Sequence, residues 1–559
     1  MRSILVLALV LVALPAIATC GGGFDPVRYR NQAPVTIVND RVHLATQPRE
    51  IAFVKMSEYF DAFFYQRIVR FTQQRPSVRS ANVNSMDEVP DSTWFRNRIG
   101  VREVSLDEMR DGAKAGANPM LHKPWKIKST KVGGVSIGFI IEDATGAKYV
   151  LKFDQKGLPE TETAADVIGA RLFWACGYHT PDNQIVTFTR ADLVIGKDAQ
   201  VKPLFGAAYP LTEQILEDKL ARVKVSKDGS IRGLASRFLI GKPLGPWPRE
   251  GVRSDDPNDT VPHELRRDLR GAYAVFSWLD HVDMKADQTV DMFVEDAADP
   301  KVNYVMHYNV DFGKMFGVFA EAGNKIYVGH SHLIDPPHIF GSLLSLGLWR
   351  RPWEGRNNPR IPGVGIFESK GYDPGVWKPV TPSYTPLLFK DRFDAFWGAK
   401  ILIRFTEPQI RAAVGEGQFS DRRAVDYLTK VLVERQRKTA RYWFDRVNPL
   451  DAFEVKGEEL CFEDLTVRYD LNRALVTYTA SGFDFDGRPI GPLTVRPGDR
   501  GRHHVCLIGL KPSTSQDGYS IVRIEATRAG TSVPPVLVHL AKGQGEMLRI
   551  IGLPPVRTN

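Results

Sequence analysis

The chain has 559 residues, 43% of them hydrophobic and 25% charged. That length predicts two or three domains, and that apolar share excludes an intrinsically disordered protein. The net charge of +9 is spread along the sequence without a basic block or a nucleic-acid-binding motif, so no nucleic acid partner is expected. What remains is a solvated basic surface, or attraction to anionic lipid or phosphorylated ligands.

The first twenty residues (1–20) read as a signal peptide: Arg2, an apolar core from Ile4 to Leu14, and the small-residue site Ala16-Ile17-Ala18. The core is too short to span a bilayer. Ile17-Ala18-Thr19-Cys20, followed by glycines, leaves two outcomes open: acylation of Cys20 with membrane attachment, or plain secretion. Either way the chain is expected to be exported, to the periplasm, the cell envelope or the medium. Cysteines are few. Cys461 and Cys506 share a strand-rich segment and either pair or stay apart, Cys176 lies in an apolar run that suits a buried thiol, and the lack of C-x-x-C argues against zinc.

Residues 21–124 form an N-terminal extension with some helix. Tyr59-Phe60 and Phe63-Phe64-Tyr65 recur at helical spacing and suit core packing better than a cofactor box. The stretch from Asp87 to Phe95 is rich in turn formers, and its acids suit a packed loop better than a metal site. Residues 125–245 open with a glycine-punctuated hairpin carrying Gly133, Gly134 and Gly138. It turns at Asp143-Ala144-Thr145-Gly146 and continues as the alternating strand Lys148 to Asp154. Strand, turn and strand ending in Lys152 form the arrangement with which protein kinases cover a nucleotide, glycine-loop amides near the phosphates and the lysine on their oxygens. A helix follows Pro159 and closes at Gly177, with Glu162 and Asp166 on one face. A lysine beside phosphates needs an opposite charge to hold it; Asp166 is favoured, with Glu162 second. Gly134-Val135-Ser136-Ile137-Gly138 also matches the serine-hydrolase elbow, but that motif needs a helix just past the serine, and here a strand is expected.

Residues 246–450 begin past the Gly241–Pro248 connector. The acidic loop Ser254–Asp259 lacks the twelve-residue calcium pattern. From Glu264 the apolar positions Leu265, Leu269, Ala272, Phe276 and Leu279 mark an amphipathic helix. It delivers the chain to Trp278-Leu279-Asp280-His281-Val282-Asp283-Met284-Lys285-Ala286-Asp287-Gln288, and a hairpin then leads to Asp311-Phe312-Gly313. His330 and His332 have no third metal ligand near them. Thr406 opens a helix with a capping box, a long helix runs from Asp421 to Arg446, and Asn448-Pro449 stops it. Residues 454–559 change texture to short strands, Leu465–Tyr469, Leu475–Tyr478, Ile521–Ile524 and Val536–Leu540, predicting a β-sandwich-like domain for packing or partner binding.

The string H-x-D-x-K-x-x-Q at His281, Asp283, Lys285 and Gln288, followed by D-F-G at 311–313, falls in step with the protein-kinase catalytic loop and metal-binding triplet. With D-E-V-P-D-S-T-W-F, Y-V-L-K-F-D and D-D-P-N-D-T-V-P-H-E-L-R-R-D-L-R-G, the stretch from Asp87 to Pro449 resembles a group of exported bacterial atypical kinase-like proteins. It is similar, more distantly, to the HipA-type and CotH-type members of the protein-kinase-like superfamily. The resemblance implies an α+β, two-lobed protein-kinase-like fold with the N-terminal extension and the C-terminal β domain appended. It further implies ATP and Mg2+ as cofactors, with Gly133, Gly134, Gly138, Lys152, Asp166 and Glu162 on the nucleotide. Asp311 and Gln288 would hold the metal, Asp283 would orient the acceptor hydroxyl of a protein, lipid or sugar, and Lys285 would screen the moving phosphoryl group. The family pattern has Asn where this chain has Gln288, one methylene longer, and often Glu where it has Asp166. A kinase-fold scaffold without turnover and an unrelated hydrolase or binding protein are the alternatives.

Overall fold

The structure is a computed structural model that describes residues 27–555 except 53–54, 73–77, 117, 132–136, 204–205, 320–324, 383, 473–474, 515 and 544–546. Residues 1–20, expected from the sequence to be a signal peptide, and Gly133, Gly134 and Ser136 lie outside the described residues. By contact the chain divides into two units, one from Pro34–Pro449 and Asp464–Ala474, the other from Leu450–Glu463, Leu475–Asn559 and the described end of Met1–Ala33. The architecture is mixed α+β with several sheets.

The larger unit starts with two short helices, α1 (Lys55–Phe60) and α2 (Gln66–Thr72), joined by a wide helical turn, and then α3 (Leu106–Asp111), which the Ser105 and Glu108 capping box starts. Seven strands follow: β1 (Trp125–Thr130), β2 (Gly138–Glu142), β3 (Lys148–Lys152), β4 (Asn183–Thr189), β5 (Leu193–Val201), β6 (Tyr209–Pro210) and β7 (Ser230–Arg237). They lie in the order β4-β7-β3-β2-β1-β5-β6, with β1 and β5 the parallel pair. Alternation along β3 buries Tyr149 and Leu151 against Trp125, Ile127, Phe139 and Ile141 on one face of the sheet. Lys152 therefore emerges on the other face, at the end of its strand. The helix α4 (Glu162–Cys176) packs against β4 and β7 and stops at Gly177. A further helix, α5 (Glu213–Leu220), borders the sheet.

A three-stranded sheet, β10 (Asn303–Asn309), β9 (Thr289–Glu295) and β8 (Lys242–Gly245), carries the chain into and out of the central loop. Helices α6 (Arg267–Leu279), α7 (Pro336–Leu344), α8 (Thr385–Phe389), α9 (Arg392–Leu402), α10 (Glu407–Gly415) and α11 (Arg422–Phe444) complete this unit. Its largest core joins Phe173 of α4, Phe276 and Trp278 of α6, Trp397 of α9 and Leu432 of α11 with Trp94 and Phe95. The N-terminal extension from residue 34 is thus part of the larger unit rather than a module beside it. The sequence also predicted an exposed polar face on α6, yet every one of its residues is buried. The charges survive burial because Asp394 accepts from Arg267 at 3.1 Å, from Arg270 at 3.4 Å and from Ser80 at 2.6 Å, and Asp87 meets Arg267 at 2.7 Å.

The smaller unit holds β11 (Leu450–Lys456), β12 (Glu459–Asp464), β13 (Val476–Asp484), β14 (Pro489–Pro497), β15 (His504–Ile508), β16 (Ser520–Arg528), β17 (Thr531–Ser532), β18 (Val536–Lys542) and β19 (Leu548–Gly552). They form one sheet that nearly closes as a barrel, in place of the two facing sheets of a sandwich. Cys461 and Cys506 face each other on β12 and β15 and are disulfide-bonded, while Cys176 is free and buried. Leu465–Tyr469, expected as a strand of this domain, is instead the short helix α12 (Leu465–Arg468), which belongs with Asp464–Ala474 to the larger unit. The buried carboxylate of Asp464 accepts from the amides of Thr466 at 2.9 Å and Val467 at 3.3 Å, an N-cap that outweighs the β-branched texture.

Asp394 is the testable joint of the buried network. Burial alone would push its carboxyl up, but Arg267, Ser80 and Arg270 hold it below the usual range. Asp394→Ala leaves the buried Arg270 without its carboxylate and Arg267 with Asp87 alone, and is expected to cost about 3–5 kcal/mol, read as a lower urea midpoint. An unchanged midpoint would show that the network contributes nothing to stability.

Candidate functional site

Four parts of the chain meet in one cluster of charged side chains. The Lys152 ammonium, at the end of β3, bonds Asp166 of α4 at 2.9 Å and Asp311 at 2.8 Å. Asp311 follows β10 in a left-handed backbone conformation, φ +64°, which turns its carboxylate out of the strand direction. Burial opposes charge on Lys152, but the two carboxylates prevail and hold the ammonium well above its ordinary value. Asp311 is driven the other way: burial would raise it, while Lys152, Lys131 and Lys285 hold it far below the carboxylate range.

Asp166 also ties two elements together. Its second oxygen accepts from Asn183 at 2.9 Å and from the amide of Phe312 at 3.1 Å. Gly169, one turn further along α4, lets this happen: a Cβ there would stand 2.5 Å from Met315 Sδ and 2.7 Å from Phe312 Cβ. The Phe312 ring then packs on Phe173 and His281, with centroids at 5.0 and 5.9 Å. Burial lowers His281 to about 4, so its imidazole is neutral near neutral pH.

The loop after α6 leaves the helix through Asp280, whose left-handed conformation and bond to Trp377 Nε1 at 2.8 Å set the exit. Asp283 is clamped by Lys285, 3.0 Å from each carboxylate oxygen, and by Lys314 at 3.3 Å. Burial works against its charge, but these lysines hold the carboxyl below its ordinary value, so it is ionised at neutral pH. Lys285 also meets Asp287 at 3.1 Å. Gln288 is placed differently from its expected metal role. Its oxygen accepts the Lys285 amide at 3.0 Å and its nitrogen reaches Asp283 at 3.4 Å, making it a strut of the loop.

The remaining sequence candidates divide. Gly138 pairs with Lys152 across β2 and β3, and a Cβ there would lie 2.8 Å from Leu151 O, so the hairpin needs a glycine at this point. Glu162 opens α4 within electrostatic reach of Lys131, while the bond to Lys152 comes from Asp166. The segment past Ser136 is the strand β2, so the helix a hydrolase elbow requires is missing. His332 bonds Pro379 O at 2.7 Å, a structural contact.

Residues not singled out from sequence complete the site: Lys131, whose charge bears on Asp311 and Asp166, then Lys314, Asp287 and Asn183. Lys314 directly follows D-F-G, and Lys131 directly precedes the glycine stretch, so position beside a motif was the only available signal. Beside the loop lies a cleft of about 410 Å³ lined by Ser57, Glu58, Asp61, Trp247, Arg249 and Ala286. Arg249 holds Glu58 at 3.3 Å, and burial pushes the Glu58 carboxyl above its ordinary value against the pull of Arg249. No protein-family model, curated protein or solved structure matches this chain, so the functional reading rests on the geometry of these residues.

Lys152→Met tests the clamp without any ligand. Asp166 would stay buried without its cation, and the melting temperature is expected to fall by the equivalent of about 3–5 kcal/mol. Lys152→Met combined with Asp166→Asn should recover part of that loss. If the double variant melts as low as the single variant, the pair is not coupled.

Proposed function

We propose that this protein is an exported, kinase-like phosphotransferase that uses Mg2+-ATP and acts on a hydroxyl acceptor. The observation that carries the reading is the convergence of Lys152, Asp166 and Asp311 at one point, beside a clamped, ionised Asp283. Under this reading the seven-stranded sheet with α4 is the small lobe, and the helical region around α6 and α11 is the large one. The site is a mixed set of lysines and carboxylates, which suits polyphosphate oxygens and a hard divalent cation together. Asp311, whose side chain is 45% exposed, is the carboxylate most open to such a cation.

Each residue then has a task on this chain. Lys152, steered by Asp166, places a fixed positive charge where phosphate oxygens would lie, and Lys131 adds a second. Asp311 would hold the magnesium. The bound metal–nucleotide would supply the transferable phosphoryl group and screen its charge. Asp283 accepts the hydrogen bond of the acceptor hydroxyl and takes its proton, while Lys285 and Lys314 balance the charge that builds up beside it. The cleft beside Ala286 is lined by the carboxylates of Glu58 and Asp61 and by Arg249, which supports an acceptor that carries hydroxyl groups.

A second reading, a nucleotide-binding scaffold without turnover, is favoured by one observation: the Gln288 oxygen is already committed to the Lys285 amide.

Two measurements separate the readings. ATP with Mg2+ should raise the melting temperature, since a ligand that binds only the folded state stabilises it. Transfer of label from the γ-phosphate should fall at least about 100-fold in Asp283→Ala, with the ATP-induced shift retained. A shift without transfer selects the scaffold; neither shift nor transfer removes both readings.

A further inference from the structure

Far along the chain from the catalytic loop, the larger unit exposes apolar side chains that no interior accounts for. The helix α7 has no buried residue, and it leads into a turn where Leu344 is 86%, Leu346 90% and Leu348 89% exposed. Phe340 and Leu343 are exposed on the same helix. Singly exposed leucines are ordinary; a run of them on one protrusion is not.

The protrusion is built, not frayed. Leu346 and Gly347 take left-handed conformations, φ +51° and +81°, which reverse the chain. Gly347 N donates to Ser342 O at 2.8 Å and Trp349 N to Ser345 Oγ at 3.0 Å, and the Trp349 ring lies over Gly341, where a Cβ would come within 3.1 Å of it. His338 packs against both Trp349 and Trp353. The base is fixed by the buried Asp335, which takes Lys378 at 2.7 Å and His338 at 3.3 Å. Arg356 adds bonds to Ile326 O at 2.8 Å and Val328 O at 2.7 Å.

Charge chooses the occupant. Just behind the leucines stand Arg350, Arg351 and Arg360, all exposed, against one exposed acid in that stretch, Glu354, which Arg351 meets at 3.9 Å. Exposed apolar side chains on the turn, followed by exposed arginines, combine apolar area with positive charge, the two signals that an anionic lipid interface takes. α2 repeats the pattern. Its Arg67 lies within electrostatic reach of Asp335 and His332, and Phe60, Phe64, Tyr65 and Ile68 of the neighbouring helical stretch are exposed.

We propose that the α7 protrusion inserts into the interface of an anionic lipid bilayer, with Phe340, Leu344, Leu346 and Leu348 among the acyl chains and Arg350 and Arg351 on the lipid phosphates. This holds whether or not the neighbouring cleft turns over a substrate.

The test is co-sedimentation of the full chain with vesicles, Cys20→Ser being present in every arm so that no acyl anchor contributes. Vesicles with phosphatidylglycerol should bind the protein, and pure phosphatidylcholine should bind it several-fold more weakly, about tenfold by the two-signal logic of apolar area plus charge. The combined variant Leu344→Asp, Leu346→Asp, Leu348→Asp should lose binding to both. Arg350→Gln with Arg351→Gln should lose only the preference for the anionic vesicle. Because these side chains are exposed, each variant should melt like the parent, and circular dichroism checks it. Three results overturn the proposal: no vesicle binding by the parent, full binding by the triple variant, or, in sedimentation velocity without lipid, self-association that the triple variant abolishes. The last would make the occupant a second copy of the chain.

Discussion

The ammonium of Lys152 lies between two carboxylates that arrive from different parts of the chain, and the charged cluster is organised by that contact. Asp166 comes from a helix and Asp311 from the end of a hairpin; without the lysine, a buried acid and a half-exposed one would face each other with no cation between them. The same Asp166 receives the Phe312 amide, so the charge contact and the packing of Phe312 on Phe173 and His281 are one assembly. Gly169 is what lets the two backbones come close enough for it.

This arrangement places strong charges in low-dielectric surroundings without leaving any of the central ones unmatched. Asp283 is balanced by Lys285 and Lys314, Asp311 by Lys152 with Lys131 nearby, and Lys285 in turn by Asp287. Such alternation is costly to assemble and sensitive to any change in charge, which is what a site that handles a polyanion and a cation would need. Under the proposed phosphotransferase reading the lysines are already oriented, so little reorganisation is required when phosphate arrives. Elsewhere the same unit buries Arg267 and Arg270 on Asp394 with comparable charge matching and all three side chains closed off from solvent, so a buried ionic cluster is not by itself a site.

Two surfaces therefore carry different physics. The charged cluster is inward-facing and tied together by hydrogen bonds, whereas the α7 protrusion is apolar, outward-facing and held only at its base. Among the described residues no helix is long and apolar enough to cross a membrane. A bilayer contact, as proposed, would be an interfacial one.

The sequence by itself determined what depends on local order. Alternation in β3 put Lys152 on the face opposite Tyr149 and Leu151, glycine and capping signals marked the ends of α4 and α10, and the spacing of His281, Asp283 and Asp311 singled out the central loop. Tertiary structure alone decided the partners. The sequence ranked Asp166 ahead of Glu162 on one helix face as the anion for Lys152, and the approach of α4 to β3 made that bond, at 2.9 Å. Nothing local gave Lys131 and Lys314 a role or closed the last strands toward a barrel; there the deciding term was a contact between residues far apart in sequence, and periodicity along the chain carries no record of such contacts. Elsewhere the deciding term was a short-range cap that periodicity also misses: the Gln288 oxygen takes the Lys285 amide, and Asp464 takes the amides two and three residues on, turning a strand-like run into a helix.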